Sequence, residues 1–280
     1  MLNASEFFAL AREREAIRLR REAGDLAPWT VDQIFKSWKF CNVHREHDRT
    51  TVWFREHVRS HLSGLAAVEA VLIFRWFNRI ATGEAIVDLL LNGWDGAEAR
   101  RRLLLLKPIF TGAYIIKSPQ GYTKLDGVLW TIDRAREQLP AMVPAWGATL
   151  RGAWEDLRLL PYMGHFNAYE VVTDLRWTTV LSQAEDINTW VSAGPGCARG
   201  LGWVTVGNEN IYNYHSDRHQ ALMREPMLDL LQQSRDQLHW PSDWRAWELR
   251  EVEHWLCEYW KYVRCRDFGQ PPKNRYRPSV

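Results

Sequence analysis

Leu160-Pro161-Tyr162-Met163-Gly164-His165-Phe166-Asn167-Ala168 is the stretch on which the reading of the fold turns. It has the L-P-x-x-G pattern of a hairpin between two helices, with Pro161 and Gly164 ending one helix and the residues after Gly164 opening the next. In such a helix-hairpin-helix element the backbone amides at the second helix's N-terminus face a DNA phosphate, because the helix dipole favours an anion there. Gly164 is therefore a candidate DNA-contact residue.

Outward from this hairpin, helical periodicity prevails to both ends of the chain. Upstream, helices are expected over residues 6–21, 48–62, 65–80, 82–91 and 95–106, with Gly64, Gly93 and Pro108 as punctuation. A further short helix through Trp38 is opened by Thr30-Val31-Asp32-Gln33, which has the capping-box form. Residues 109–128, with Gly112, Pro119, Gly121 and Gly127, are the one place where a brief β-hairpin fits. Helices are expected again over 129–138, 146–160, 166–173, 218–234 and 243–264. Neither a Gly/Ser linker nor an internal repeat divides the chain. The expected fold is mainly α: a helical catalytic domain over residues 1–267, single or two-lobed, and an extended tail over 268–280 carrying Pro271, Pro272 and Pro278.

Composition narrows the function classes. With 280 residues, 46% hydrophobic and 25% charged, the chain can bury a substantial core, which excludes disorder and fibres. Its longest uncharged apolar runs, 103–106 and 70–74, fall far short of the roughly 20 residues of a membrane span. Glu6, Arg12, Glu13, Arg14 and Glu15 stand where a signal peptide needs an apolar core, so the expectation is an intracellular protein with no membrane partner. A net charge of +2 is too small for a protein that depends on bulk attraction to phosphate. Sixteen Trp is several times ordinary usage, and only seven of the 36 basic residues are Lys. Trp offers a stacking face for a base and Arg a bidentate fork for phosphate; a GC-rich genome enriches Arg equally well.

The four cysteines, Cys41, Cys197, Cys257 and Cys265, have no CxxC spacing, so neither a zinc knuckle nor a disulfide framework is indicated. His57 and His61 stand at i, i+4 and His44 and His47 at i, i+3. Without carboxylates at matching positions they read as polar-face histidines, and no metal or cofactor is expected. No GxxxxGK[ST] occurs, which excludes a P-loop kinase. The glycines of Gly194-Pro195-Gly196-Cys197-Ala198-Arg199-Gly200-Leu201-Gly202 suggest a tight turn, either purely structural or facing an anion with Arg199 as a fork donor beside it. Trp38-Lys39-Phe40-Cys41-Asn42-Val43-His44-Arg45-Glu46-His47-Asp48-Arg49 crowds Lys39, Asn42, Arg45, Asp48 and Arg49 between aromatic anchors, which suits a polyanionic ligand or an ordinary surface ion-pair cluster. In the last helix Leu249, Val252, Leu256, Tyr259 and Val263 form the buried stripe. Glu251, His254, Glu258 and Lys261 form a second, polar face, read as a solvated stripe laced by pairs such as Glu258–Lys261 or as one wall of a polar cleft.

The hairpin also resembles that of the helix-hairpin-helix DNA glycosylases, in which an essential Asp follows the hairpin glycine by about twenty residues; Asp186 follows Gly164 by twenty-two. His165 and Phe166 replace the Lys of the bifunctional members, which argues against lyase chemistry. Taken together, Pro28-Trp29-Thr30 with Asp32, the 40–49 run, Gly112-Ala113-Tyr114, the 160–175 segment ending at Asp174-Leu175, GPGxxRGL, the 251–262 helix and Arg275-Tyr276-Arg277-Pro278 resemble the alpha-glutamyl/putrescinyl thymine pyrophosphorylases. These phage amino acid:DNA transferases share a helical module with 5-hydroxymethyluracil DNA kinases. The resemblance implies a glycosylase-like fold and a transferase of thymidine hypermodification in the cytoplasm of an infected cell. Its partners would be DNA carrying pyrophosphorylated 5-hydroxymethyluracil and a free amino acid, whose amine replaces the pyrophosphate.

On that chemistry Lys39, Asn42, Arg45, Asp48, Arg49 and Arg199 are expected at pyrophosphate or the DNA backbone. Asp186 or Asp174 is expected as the base, with a helix cap or buried ion pair as the ordinary reading of either. Glu258 and Lys261 are expected at the amino acid. A thiolate of Cys41, Cys197 or Cys257 adding to the pyrimidine ring is an alternative to direct displacement. The rival classes are a glycosylase-like enzyme acting on a modified pyrimidine and a DNA-binding helical module without catalysis.

Overall fold

The computed structural model describes residues 1–276. Arg277, Pro278 and the rest of the expected tail lie outside the described residues. Twelve α-helices follow in order among the described residues: α1 (Ala4–Glu22), α2 (Gln33–Ser37), α3 (Arg49–His57), α4 (Gly64–Phe77), α5 (Ile80–Asn92), α6 (Gly96–Leu103), α7 (Lys124–Met142), α8 (Leu150–Leu157), α9 (His165–Leu175), α10 (Pro195–Val206), α11 (Asp217–Gln233) and α12 (Leu249–Phe268). Among the described residues there is no strand, only an isolated antiparallel bridge between Trp38 and Arg275. No helix among the described residues is long and apolar enough to cross a membrane. The chain divides into two compact units. One joins Met1–Asp48 to the chain from Asn188 onward, and the other is Arg49–Ile187.

In the first unit α12 is the central element, packed by α10, α11, α1 and α2. Its apolar stripe is the expected one: Leu249, Val252, Leu256, Tyr259 and Val263 are all fully buried. Phe7 meets Trp247 and Tyr259 edge-on at 5.9 and 5.5 Å, and the Trp255 indole N–H donates to the Phe7 carbonyl at 3.0 Å. Much of the Trp surplus is thus core. Trp76, Trp247 and Trp255 are among the largest fully buried side chains, a role that composition alone could not separate from base stacking.

The expected tight turn at 194–202 is instead the start of α10, and its glycines serve close packing. A Cβ on Gly200 would stand 2.2 Å from the Leu256 carbonyl oxygen, and one on Gly196 2.3 Å from Cys257 Sγ. Only glycine lets α10 approach α12 so closely. Pro195 fits the first helical turn, where its missing N–H leaves no bond unmade. The α2 cap also differs from expectation: Asp32, not Thr30, accepts from Ile34 N and Phe35 N at 2.8 and 2.9 Å. The part of the tail that is described turns back along this segment, with Tyr276 N donating to Ser37 O and Lys39 N to Asn274 O, both at 3.0 Å.

The second unit is a helical array around α4, which packs on α5, α7 and α9. Phe54 and Phe74 stack at 4.3 Å in its core. Residues 109–123 are irregular, not a β-hairpin. Their course is fixed by side-chain anchors: Tyr114 Oη donates to Arg75 O at 2.6 Å and Ile116 is buried. Residues 158–164 connect α8 to α9, two helices that pack on each other. Tyr162 takes a positive φ of 58° in the turn, and Gly164 is the N-cap of α9 with no side chain capping that end.

Candidate functional site

The polar face of α12 is a buried wall rather than a solvated stripe. Glu251 and Glu258 are 2% and 6% exposed, and the segment 40–48 packs over them. The order of the segment follows from its hydrogen bonds. Arg14 of α1 reaches in with Nε on Cys41 O at 3.0 Å and Nη2 on Asn42 Oδ1 at 2.6 Å. Cys41 N donates to Glu258 Oε2 at 2.8 Å. Asn42 N donates to Asp48 Oδ1 at 2.8 Å, and Asn42 Nδ2 to His47 O at 2.6 Å. These bonds fold residues 42–48 into a loop closed on itself and seated on α12. His254 Nε2 then donates to Asn42 O at 3.2 Å and lies 3.9 Å from Asp48 Oδ2.

Lys261 Nζ meets Glu258 Oε2 at 2.5 Å and stands over the Phe40 ring at 4.7 Å. Two turns towards the N-terminus of α12, His44 Nδ1 and Arg250 Nε each lie 3.8 Å from Glu251 Oε1. Ligand atoms of Cys41, Asp48 and His254 all lie within 4.8 Å of one another.

Burial decides the protonation of this wall. It pushes the Cys41 thiol well up, helped by the charges of Glu258 and Asp48, and it raises the Asp48 carboxyl against the pull of His254 and the Asn42 amide. It lowers His254, so the imidazole is neutral at neutral pH although Asp48 and Glu258 face it. For Glu258 the same burial is outweighed by Lys261 and His254, and its carboxyl lies below the usual range. For Glu251 burial is likewise outweighed, by His44 and Arg250, and its carboxyl is held at about 2. The wall therefore combines a neutral imidazole, carboxylates, a thiol and the cations Arg14 and Lys261.

The residues expected from sequence separate into three groups. Asn42, Arg45, Asp48, Glu258 and Lys261 do come together in this wall, Arg45 being buried. Lys39 and Arg199 belong to the same unit but are exposed. The third group, Arg49, Gly164, Asp174 and Asp186, lies in the other unit, where Arg49 and Gly164 are exposed.

Both aspartates there have structural partners. Asp186 accepts from Leu150 N and Arg151 N at 2.6 and 2.9 Å, closing the N-terminus of α8. Asp174, fully buried, is gripped by Arg75 through two bonds of 2.5 and 2.6 Å, with Arg59 at 3.7 Å.

Of the thiols, Cys197 is buried with its acidity suppressed by that burial, and Cys257 is exposed. His44 is fully buried, which corrects its reading as a polar-face residue, whereas His57 and His61 are exposed and bond to backbone carbonyls.

Arg14 does not stand out in the sequence as a site residue, because it sits among closely spaced charged neighbours in the first helix, Arg12, Glu13, Glu15, Arg18, Arg20 and Arg21. Yet it falls at i, i+4, i+7 with Phe7 and Ala11, and that spacing marks the buried stripe.

The family described as 5-hmdU DNA kinase, helical domain, matches residues 3–269. A 5-hmdU DNA kinase of Bacillus phage SP10 is 24% identical over 288 residues, covering 91% of this chain and 44% of that protein. The chain thus spans less than half the length of that relative. No solved structure matches. Because the family match takes in the loop at 40–48, the hairpin at 160–164 and nearly all of α12, this chain belongs to the family of 5-hmdU DNA kinase helical domains.

Proposed function

We propose that the chain is a phage DNA-modifying transferase of thymidine hypermodification, replacing the pyrophosphate of 5-pyrophosphoryloxymethyl-deoxyuridine in DNA with the amine of an amino acid. The observation that carries this reading is the buried wall formed by residues 41–48 and α12, where acid, base and cation groups converge on one helix face. The family match supports a substrate in the hydroxymethyluracil series, since the relative from Bacillus phage SP10 is named for 5-hmdU DNA.

The amine nitrogen forms a bond to the exocyclic methylene carbon while the carbon–oxygen bond to pyrophosphate breaks, its electron pair leaving with the phosphate. The proton shed by nitrogen passes to a carboxylate of the wall. Glu258, whose bonds from Cys41 N and Lys261 both fall on Oε2, is assigned that role in place of Asp174 and Asp186, each of which is bonded through both oxygens, by Arg75 and by the α8 amides. Lys261, paired with Glu258 at 2.5 Å, would take the amino acid's carboxylate. Cations aimed at the leaving group provide the largest catalytic help available to such a displacement; Lys39, Arg45 and Arg199 of the first unit are assigned to pyrophosphate or the DNA backbone, and Arg49 of the second unit to the DNA backbone. The open N-terminus of α9 at Gly164 suits a DNA phosphate, as in a glycosylase-like approach to DNA, and the target base would be flipped out of the stack to be reached.

Release of inorganic pyrophosphate from pyrophosphorylated hydroxymethyluracil DNA tests this. The expected result is release that depends on added amino acid. Release without any amino acid, or abasic sites in the product, would refute the transferase reading.

A further inference from the structure

The closest gathering of metal-ligand atoms among the described residues is not along a helix but across the wall. Cys41 Sγ, an Asp48 carboxylate oxygen and a His254 ring nitrogen lie within 4.8 Å of one another. A tetrahedral zinc with bonds of about 2.0–2.3 Å has its ligand atoms roughly 3.3–3.8 Å apart. Asp48 Oδ2 and His254 Nε2, at 3.9 Å, are already near that separation, and the rest needs only a small contraction of side chains. From this geometry we infer that Cys41, Asp48 and His254 form a three-ligand site for a single zinc ion.

Thiolate, imidazole and carboxylate are donors that favour zinc over magnesium or calcium. The groups behind the ligands are those an ion site needs. Asp48 Oδ1 is fixed by the Asn42 amide at 2.8 Å, leaving Oδ2 for the ion. The Cys41 backbone is fixed by Glu258 at 2.8 Å, and the loop carrying both ligands is closed by Asn42 and braced by Arg14.

Charge balances as well. Zinc enters with two positive charges, the thiol loses one proton to become a thiolate, and Asp48 supplies the second negative charge. The filled site is neutral overall, so the neighbouring Arg14 and Lys261 face no net positive charge; Lys261 is itself held by Glu258 at 2.5 Å. His254, whose Nε2 faces the Asn42 carbonyl, would bind through that nitrogen with its proton moved to Nδ1.

Three protein ligands leave a fourth position open, the arrangement of a reactive rather than a structural zinc. Resting on the transfer reading above, that position would take an oxygen of the leaving pyrophosphate, where a Lewis acid offsets the charge that develops as the bond breaks.

The test is metal binding by the full chain, read independently of turnover. Protein stripped by chelator is titrated with zinc against a chromophoric chelator, and with cobalt to follow the thiolate-to-metal charge-transfer absorption. The expectation is about one zinc per chain with about one proton released on binding, and a loss of at least ~10-fold in affinity for Cys41→Ser, Asp48→Asn and His254→Gln. Asp48→Asn keeps an oxygen for the Asn42 amide, and a thermal melt of each variant separates lost binding from lost folding. Cys265→Ser, outside the wall, should bind as the unaltered chain does. Zinc binding below about a tenth of an equivalent, or equal binding by folded Cys41→Ser and His254→Gln, would overturn the site. A chain that binds zinc through these residues but transfers no amine would refute the transfer reading alone.

Discussion

Arg75 and Asp174 form a buried, two-pronged ion pair in the second unit, with bonds of 2.5 and 2.6 Å and exposures of 3% and 0%. Arg75 also donates to Asn78 Oδ1 at 2.8 Å, at the left-handed residue that ends α4. The pair thus ties α9 to the C-terminal end of α4. Removing one partner leaves an uncompensated buried charge, which costs about 3–5 kcal/mol. Asp174→Ala should lower stability by that amount in denaturant melts, and a loss below about 1 kcal/mol would contradict the structural assignment.

Asp186 separates a cap from a base cleanly. As a helix cap, Asp186→Ala should cost about 1–2 kcal/mol, while Asp186→Asn, which keeps an acceptor, should cost less. On the present account the Asn variant also retains most of its turnover. Asp186→Asn with native stability and no transfer would return Asp186 to the role of base.

Close packing of α10 on α12 predicts a sharp size limit. Gly200→Ala places a methyl against the Leu256 carbonyl, a backbone atom that cannot rotate away. A loss of about 1–3 kcal/mol is expected from overpacking, measured by chemical unfolding. A neutral or stabilising effect would mean that α10 does not lie as close to α12 as described.

Glu251 sets a pH dependence. Its carboxyl is held at about 2 in the folded chain against an ordinary 4.5, so the unfolded chain binds more protons between those values. The resulting stability, on the order of 3 kcal/mol, is fully present above pH 4.5 and lost as the pH falls towards 2. Glu251→Gln should flatten the stability profile over that window. An unchanged profile would show that Glu251 is not the group responsible.

The helices were legible because their apolar residues recur at three and four, and the α12 stripe was read residue by residue. The α10 helix was missed because its glycines look like a turn until the Leu256 carbonyl is seen beneath Gly200. For the site, the sequence grouped residues 39–49 and singled out the second face of α12, but could not tell a solvated face from a buried one. That difference depends on Arg14 and Asn42 folding the loop onto the helix, contacts separated by 28 residues and by more than 200. The same limit hid the metal-ligand geometry, since His254 stands more than 200 residues from Cys41 and Asp48. Asp174 and Asp186 stood out as acids, yet only the structure supplies Arg75 and the α8 amides that occupy them.

Amine transfer to DNA can be read by nucleoside mass spectrometry. DNA carrying pyrophosphorylated 5-hydroxymethyluracil is incubated with the chain and each amino acid in turn, then digested to nucleosides. The account predicts a new nucleoside whose mass is that of the substrate less pyrophosphate plus the amino acid, formed by the unaltered chain and strongly reduced in Glu258→Gln and Lys261→Met. No mass change with any amino acid would contradict it.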